Sequence, residues 1–302
     1  MSEAYSKVKV YLILAIGLTT FGFAPILVKF ATEYSALLLV SVRTVAAFIL
    51  LIPLYLFQKK SKKYDVKSTG NEGKWIAFAG IALGLHFILW ISSLYYTSVA
   101  SASVLVTIHP IMLIVAERAL YKMEFAPTVW VGVFVAFAGS VLLGISDYNA
   151  EATFSNPLLG NAMAFAAAAI FAVYFLIGRR IRQNRSWLGY VFPVYGYAAI
   201  TCVAILIVVE GIPRQFDPLL LWVGLGLAIG PQIMGHGSLN YAVKYVSPTL
   251  LSTLILTEPI FATALAFFIL GELPPILSFV AIFVTLVGVA FTWKKKPARK
   301  RT

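Results

Sequence analysis

Apolar runs of about twenty residues follow one another almost without pause from Val8 to about residue 293. Wound as α-helix at about 1.5 Å per residue, a run of that length spans the roughly 30 Å hydrocarbon core of a bilayer. Only 12% of the chain is charged and 60% is hydrophobic. Soluble domains carry about 25% charged residues, so this chain lacks the polar surface to face water all round. A transmembrane β-barrel would show shorter stretches of alternating polarity. The pattern is that of an all-α integral membrane protein.

Turn residues and charges divide the runs into ten spans: 8–31, 36–57, 75–97, 101–121, 127–146, 157–178, 187–209, 219–242, 248–270 and 275–293. The first is too long for a signal-peptide core of about 7–15 residues and is kept as a span. The longest connection, 58–74, is a polar and basic loop, and no soluble domain fits between spans. The single cysteine, Cys202, lies inside an apolar run and has no thiol to pair with.

The net charge of +12 raises nucleic acid as a partner, but the distribution argues against it. Of the 24 Lys and Arg, all but Lys29, Arg43 and Arg214 fall at the termini or in loops on one side of the predicted membrane. Basic loops stay cytoplasmic, so both termini are expected inside, with the bilayer as partner and no nucleic acid. Monomer and homodimer are both compatible with the sequence.

The chain also matches itself at an offset of 149: "YTSVASASVLVTIHPI" (96–111) lies on "YVSPTLLSTLILTEPI" (245–260), and Gly139 lies on Gly288 without a gap. Arg43 falls near Tyr195 at a slightly larger offset. Five spans per half is an odd number, so residues 151–302 enter the membrane in the opposite sense to 1–150. Inverted repeats of this kind belong to carriers with a midplane binding site between the halves.

Polar residues within the spans give the candidate site. His109-Pro110 and Glu258-Pro259 hold equivalent places, each about halfway along its span. Proline removes a helical hydrogen bond and frees carbonyls. A buried acid costs about 2.5–3.5 kcal/mol on insertion scales, which makes function the first hypothesis for Glu258. In span 8, Pro231 is a third helix break, and Gln232, His236 and Asn240 share one face. They either line a cavity or hold neighbouring helices. His86 and Trp90 share a face of span 3, with Tyr174 as a weaker candidate in span 6. Lys29 is expected to snorkel outward or pair with Glu33, Arg43 lies about 10 Å deep, and Glu117 with Arg118 is expected at the interface. Gly80/Gly84 and Gly226/Gly230 suit close helix contacts.

No HExxH, GxSxG or Walker-type motif occurs, and the three histidines lie on three different spans. No catalytic residues, metal or cofactor are expected.

At this point the chain resembles the EamA-type members of the drug/metabolite transporter superfamily. The resemblance rests on "LYYTSVASASVLVTIHPIMLIVAERAL", on "GHGSLNYAVKYVSPTLLSTLILTEPIFATALAFFILGE" and on the second-span Arg43, and runs over essentially the whole chain. It departs from the pattern at His109, where an acid often precedes the proline, and at Met123-Glu124, where Gly-Glu is usual. The resemblance implies export of small metabolites, often amino acids or related compounds, across a prokaryotic inner membrane. It also implies a central cavity lined by spans 1, 3, 4, 6, 8 and 9. The expectation is a secondary transporter working by alternating access. Glu258 would carry a coupling proton, and His86, Trp90, His109, Tyr174, Gln232, His236, Asn240 and Arg43 would contact cargo. An uncoupled facilitator, a channel and a polytopic enzyme acting on lipid-linked substrate are the alternatives.

Overall fold

The computed structural model describes every residue except 1, 61–70, 123, 149–153, 214–215, 247, 256–257 and 293–302. The centre of the basic loop, Arg214 and the basic C-terminal tail therefore lie outside the described residues. Every regular element among the described residues is helical. Seven stretches are long and apolar enough to cross a membrane: Val8–Lys29, Ala36–Gln58, Glu72–Ser93, Val99–Leu120, Pro157–Arg182, Trp187–Val209 and Pro218–Ala242. Three shorter apolar helices, Pro127–Gly139, Phe261–Leu270 and Ile276–Gly288, occupy the places where the sequence predicts the other three spans. Large apolar side chains such as Ile200, Trp222, Phe268 and Phe283 face outward, as lipid contact requires.

Several of these stretches are not continuous α-helix. Helices α1 (Ser2–Lys29), α2 (Ala36–Lys60) and α3 (Glu72–Ser93) are unbroken. The next stretch is divided into α4 (Val99–Val106) and α5 (His109–Tyr121), with the break just before His109-Pro110. Helices α6 (Pro127–Tyr148), α7 (Pro157–Arg182) and α8 (Trp187–Val209) follow. The stretch after them runs as α9 (Pro218–Leu227), a π-helical segment Ala228–His236 around Pro231, and α10 (Gly237–Ala242). The last part contains α11 (Pro248–Ile255), α12 (Glu258–Leu265), a second π-helical segment Ala266–Leu270, and α13 (Ile276–Thr292).

The starts are set by side chains that accept an orphan backbone N–H, one of the four each helix leaves unpaired. Ser98 accepts from Ser101 N on α4, Asn156 from Leu159 N on α7, Ser186 from Gly189 N on α8, and Asp217 from Leu219 N on α9. Pro110 is the second residue of α5, where the missing N–H is least costly. The His109-Pro110 pair thus begins a new helix rather than kinking an old one, while the residues just before Glu258-Pro259 lie outside the described residues.

The packing places the first half against the second. Helix α3 packs on α7 and α8, while the stretch from α9 to α10 packs on α1 and α2. Helix α2 meets α8, α4 and α5 meet α7, α12 meets α1, and α6 lies along α13. A Cβ added to Gly139 would lie 2.7 Å from Thr285 N and 2.9 Å from Ala281 O. One added to Gly288 would lie 2.3 Å from Ala136 N and 2.7 Å from Gly132 O. Gly80 and Gly84 make the expected close approach, to Val194 O and Ala198 O. Gly226 and Gly230 do not, because their nearest neighbours stand at ordinary contact distance, and Gly224 against Val42 is the tight point instead.

Candidate functional site

A cavity of about 40 Å³ opens where the broken helices meet. Arg43, His86, Trp90, His109, His236 and Glu258 supply its polar lining, and Phe21, Val106, Phe171 and Ile255 much of its apolar lining. Pro231 and Thr107 complete it at two of the helix breaks. A volume of that size holds only a few waters.

Arg43 is 1% exposed, so it neither snorkels nor reaches solvent. Its Nε donates to Gln232 Oε1 at 3.0 Å, and its Cζ lies 4.0 Å from the Phe87 ring centroid and 5.8 Å from that of Trp90. Arg43 Nη1, Trp90 Nε1 and Gln232 Nε2 are buried with no hydrogen-bond partner. Gln232 stands behind Arg43 rather than on the cavity wall. Its own carbonyl accepts from Tyr195 Oη at 2.6 Å.

Three histidines meet around Phe171. His86 and His236 lie 5.8 Å apart by ring centroid, and His109 lies 4.5 Å from Phe171. His86 Nδ1 is 2.9 Å from Ala167 O and His109 Nδ1 is 3.1 Å from Val106 O. A carbonyl only accepts, so Nδ1 carries the proton in both rings. His86 pairs with Phe171, and His236 with Phe21, each at 5.1 Å. An offset of 150 takes His86 to His236 and Phe21 to Phe171, so the two pairs exchange. No group of three or more metal-ligating side chains occurs among the described residues.

The π-segment explains how span 8 is held. Carbonyls of this segment and of α10 after it find donors on neighbouring helices, as buried backbone in a membrane must. Thr20 Oγ1 donates to Gly230 O at 3.1 Å, Trp187 Nε1 to Gly237 O at 2.7 Å and Arg182 Nε to Asn240 O at 2.7 Å. Asn240 and Tyr174 do not line the cavity. Asn240 Nδ2 bonds Tyr174 Oη and His236 O, joining α10 to α7.

An ion pair crosses the bundle at each end of the α4–α5 stretch. At the Val99 end, Lys29 Nζ lies 3.7 Å from Glu272 Oε1, and Glu272 Oε2 accepts from Val99 N at 3.3 Å. Lys29 therefore pairs across the halves rather than with Glu33. At the other end Arg179 pairs with Glu117, which is 1% exposed. Lys29 and Arg179 are also related by an offset of 150.

Sequence reasoning missed Phe21, Phe171, Thr107 and Ile255, since apolar and small side chains do not stand out within apolar runs. The matching places of Phe21 and Phe171 in the two halves were the available signal.

A helical bundle with broken central spans and a buried polar cavity agrees with what this chain is similar to. The family model described as "EamA-like transporter family" matches residues 8–145 and 158–294. The chain belongs to the EamA-like transporter family. An uncharacterized transporter of Archaeoglobus fulgidus is 26% identical over 257 residues, covering 82% of this chain and 86% of that protein. The uncharacterized transporter YdfC of Bacillus subtilis is also 26% identical, over 226 residues, covering 73% of this chain and 70% of its own. One solved crystal structure shares the fold, with a TM-score of 0.67 at 17% identity over 95% of this chain and 96% of that one. As a member of the EamA-like family the protein is a multi-pass membrane transporter, which points away from an enzyme and toward small-molecule substrates.

Proposed function

We propose that this protein is a secondary transporter that exports small metabolites, amino acids or related compounds among them, by alternating access. In this reading ten spans form two five-helix halves, 1–150 and 151–302, inserted in opposite senses. Both termini face the cytoplasm of a prokaryote, on the side that carries the basic loops.

The observation that carries this reading is the place of the cavity. It lies at the break before Pro110 and the π-segment around Pro231, with Glu258 on its wall, between two ion pairs at opposite ends of the bundle. At about 40 Å³ it is far smaller than the roughly 300–1,000 Å³ of ligand sites, so the helices part to admit cargo. The half-helix that starts at His109 and the π-segment around Pro231 are natural places for the halves to rock. Separation of Lys29 from Glu272 opens the outer end, and separation of Arg179 from Glu117 opens the cytoplasmic end. The exchanging contacts His86–Phe171 and Phe21–His236 support the inverted halves.

Glu258 is the one Asp or Glu among the residues that line this cavity, and it carries the coupling proton. An uncoupled facilitator is the second reading, favoured to the extent that Glu258 only holds Arg43 in place. The test is counterflow in proteoliposomes preloaded with unlabelled amino acids, purines or sugars. Saturable uptake of one labelled class is expected. Uptake without saturation or counterflow would point to a channel.

A further inference from the structure

We infer that a groove on the lipid-facing side, between α1 and the second part of span 8, binds one anionic phospholipid. An acyl chain lies in the groove, and the phosphate meets Lys9 and Lys244. The site requires only that the chain sits in a bilayer, whatever the cargo.

The groove has a volume of about 300 Å³. Ile13, Ile16 and Gly17 of α1 form one wall, and Ile233, Met234 and Gly237 form the other. None of the described residues that line it is charged. Ile16 is 55% and Met234 38% exposed, so the groove opens sideways on the outside of the bundle. Gly17 stands about 14 Å from the start of the Val8–Lys29 span at 1.5 Å per residue, where the surroundings are hydrocarbon. Gly17 leaves no side chain to fill the floor, and a Cβ there would lie 2.6 Å from Met234 O. On the far side Trp187 Nε1 is held by Gly237 O at 2.7 Å. The π-segment turns Pro231 and His236 to the central cavity and Ile233 and Met234 to the groove. A single helix therefore separates the two spaces, and a chain in the groove braces one wall of the cavity.

Charge at one end selects the headgroup. Helix α1 and span 8 run antiparallel: Leu27 lies beside Gly226, Thr20 donates to Gly230 O, and Gly17 meets Ser238. Continued in that register, Lys9 and Lys244 reach the same end of the groove. Lys9 stands one turn before Ile13 on the same face of α1, and Lys244 follows Tyr241 by three residues in the turn that closes α10. Both lysines are exposed. Tyr241 lines the groove on this side with its ring 5.5 Å from that of Tyr245, as aromatic residues gather at headgroup depth. Two ammonium groups at the mouth of an apolar groove suit a phosphate that carries net negative charge. A zwitterionic headgroup brings its own cation to the same place. A second copy of this chain fits poorly, because a two-fold contact on this groove would gather four lysines.

The test places the full-length protein in phosphatidylcholine liposomes doped with brominated phosphatidylglycerol or brominated phosphatidylcholine. Bromine quenches tryptophan fluorescence at short range. Trp75 and Trp222 are exposed and report any lipid, so the Trp187 signal is taken as wild type minus Trp187→Phe. Trp187 should be quenched at a severalfold lower fraction of brominated phosphatidylglycerol than of brominated phosphatidylcholine. Lys9→Gln combined with Lys244→Gln should erase that preference and leave quenching by phosphatidylcholine unchanged. Ile16→Phe, which fills the groove from α1, should weaken quenching by both lipids severalfold. In detergent, phosphatidylglycerol should raise the melting temperature more than phosphatidylcholine does, and the double lysine variant should lose the difference. Equal quenching and equal stabilisation by the two lipids would overturn the site and leave ordinary lipid contact. No quenching of Trp187 by either lipid, with the protein dimeric by light scattering, would overturn it in favour of a second copy. None of these measurements involves transport, so the site can fail while the transporter reading stands.

Discussion

Gly139 and Gly288 each lie against the helix that carries the other. Gly139 on α6 meets Ala281 and Thr285 on α13, and Gly288 on α13 meets Gly132 and Ala136 on α6. Adding 149 to 132, 136 and 139 gives 281, 285 and 288, so the contact maps onto itself when the halves are exchanged. No side chain fits between these backbones. Gly288→Ala should cost about 1–3 kcal/mol by overpacking and lower the melting temperature by several degrees. Gly226→Ala, where the nearest neighbour of the new methyl stands at 3.4 Å, should be tolerated. Thermal unfolding of both variants in one detergent decides it, and equal effects would undo the packing argument.

Replacement of Glu258 by Gln keeps the shape of the side chain and removes its exchangeable proton. The variant is expected to retain counterflow and to lose acceleration by an imposed pH gradient. Liposomes with matched and mismatched internal pH measure this directly, and preserved pH sensitivity would leave the uncoupled facilitator standing.

The two ion pairs differ in burial, and so should their variants. Lys29 and Glu272 are 15% and 24% exposed, and Lys29→Gln should cost under about 1 kcal/mol of stability. Arg179→Gln removes the cation paired with Glu117, which is 1% exposed, and should cost more, up to about 3 kcal/mol. Loss of the Lys29 pair should also bias the protein toward opening at that end. Cys202 is buried and should give little background, so a maleimide reacting with Thr107→Cys from outside the vesicle reports the opening. Faster labelling is expected in Lys29→Gln, and an unchanged rate would mean that the pair does not gate.

Tyr195 acts on the cavity through Gln232. Tyr195→Phe deletes the donor to the Gln232 carbonyl inside the π-segment, a bond worth about 1 kcal/mol. Apparent cargo affinity should fall severalfold with little change in maximal rate. A change in rate alone would place Tyr195 in the moving parts instead.

Much of this architecture was legible in the sequence because lipid imposes simple rules. Span positions follow from run length, and the break before His109-Pro110 falls where proline was expected to make one, although Pro25, Pro53 and Pro193 sit within continuous helices. Arg43, His86, Trp90, His109, His236 and Glu258 were readable as a site because polar groups stand out where hydrocarbon surrounds them, and they do meet at one cavity. Depth along the chain does not specify which way a polar side chain turns. Asn240 shares a helical face with His236, yet it faces Tyr174, and Gln232 is a support for Arg43. The partner of Lys29 was also hidden. A neighbour four residues away is visible in sequence, whereas Glu272 comes close only when the second half folds against the first.

The small volume at the centre bears on the cell as well as on the cargo. Protons and ions cross a membrane along continuous files of water, and a central space of about 40 Å³ between two ion pairs does not by itself reach across the bilayer. Empty copies are therefore expected to leave a membrane tight to ions: liposomes that carry them should hold an imposed voltage as long as protein-free ones do.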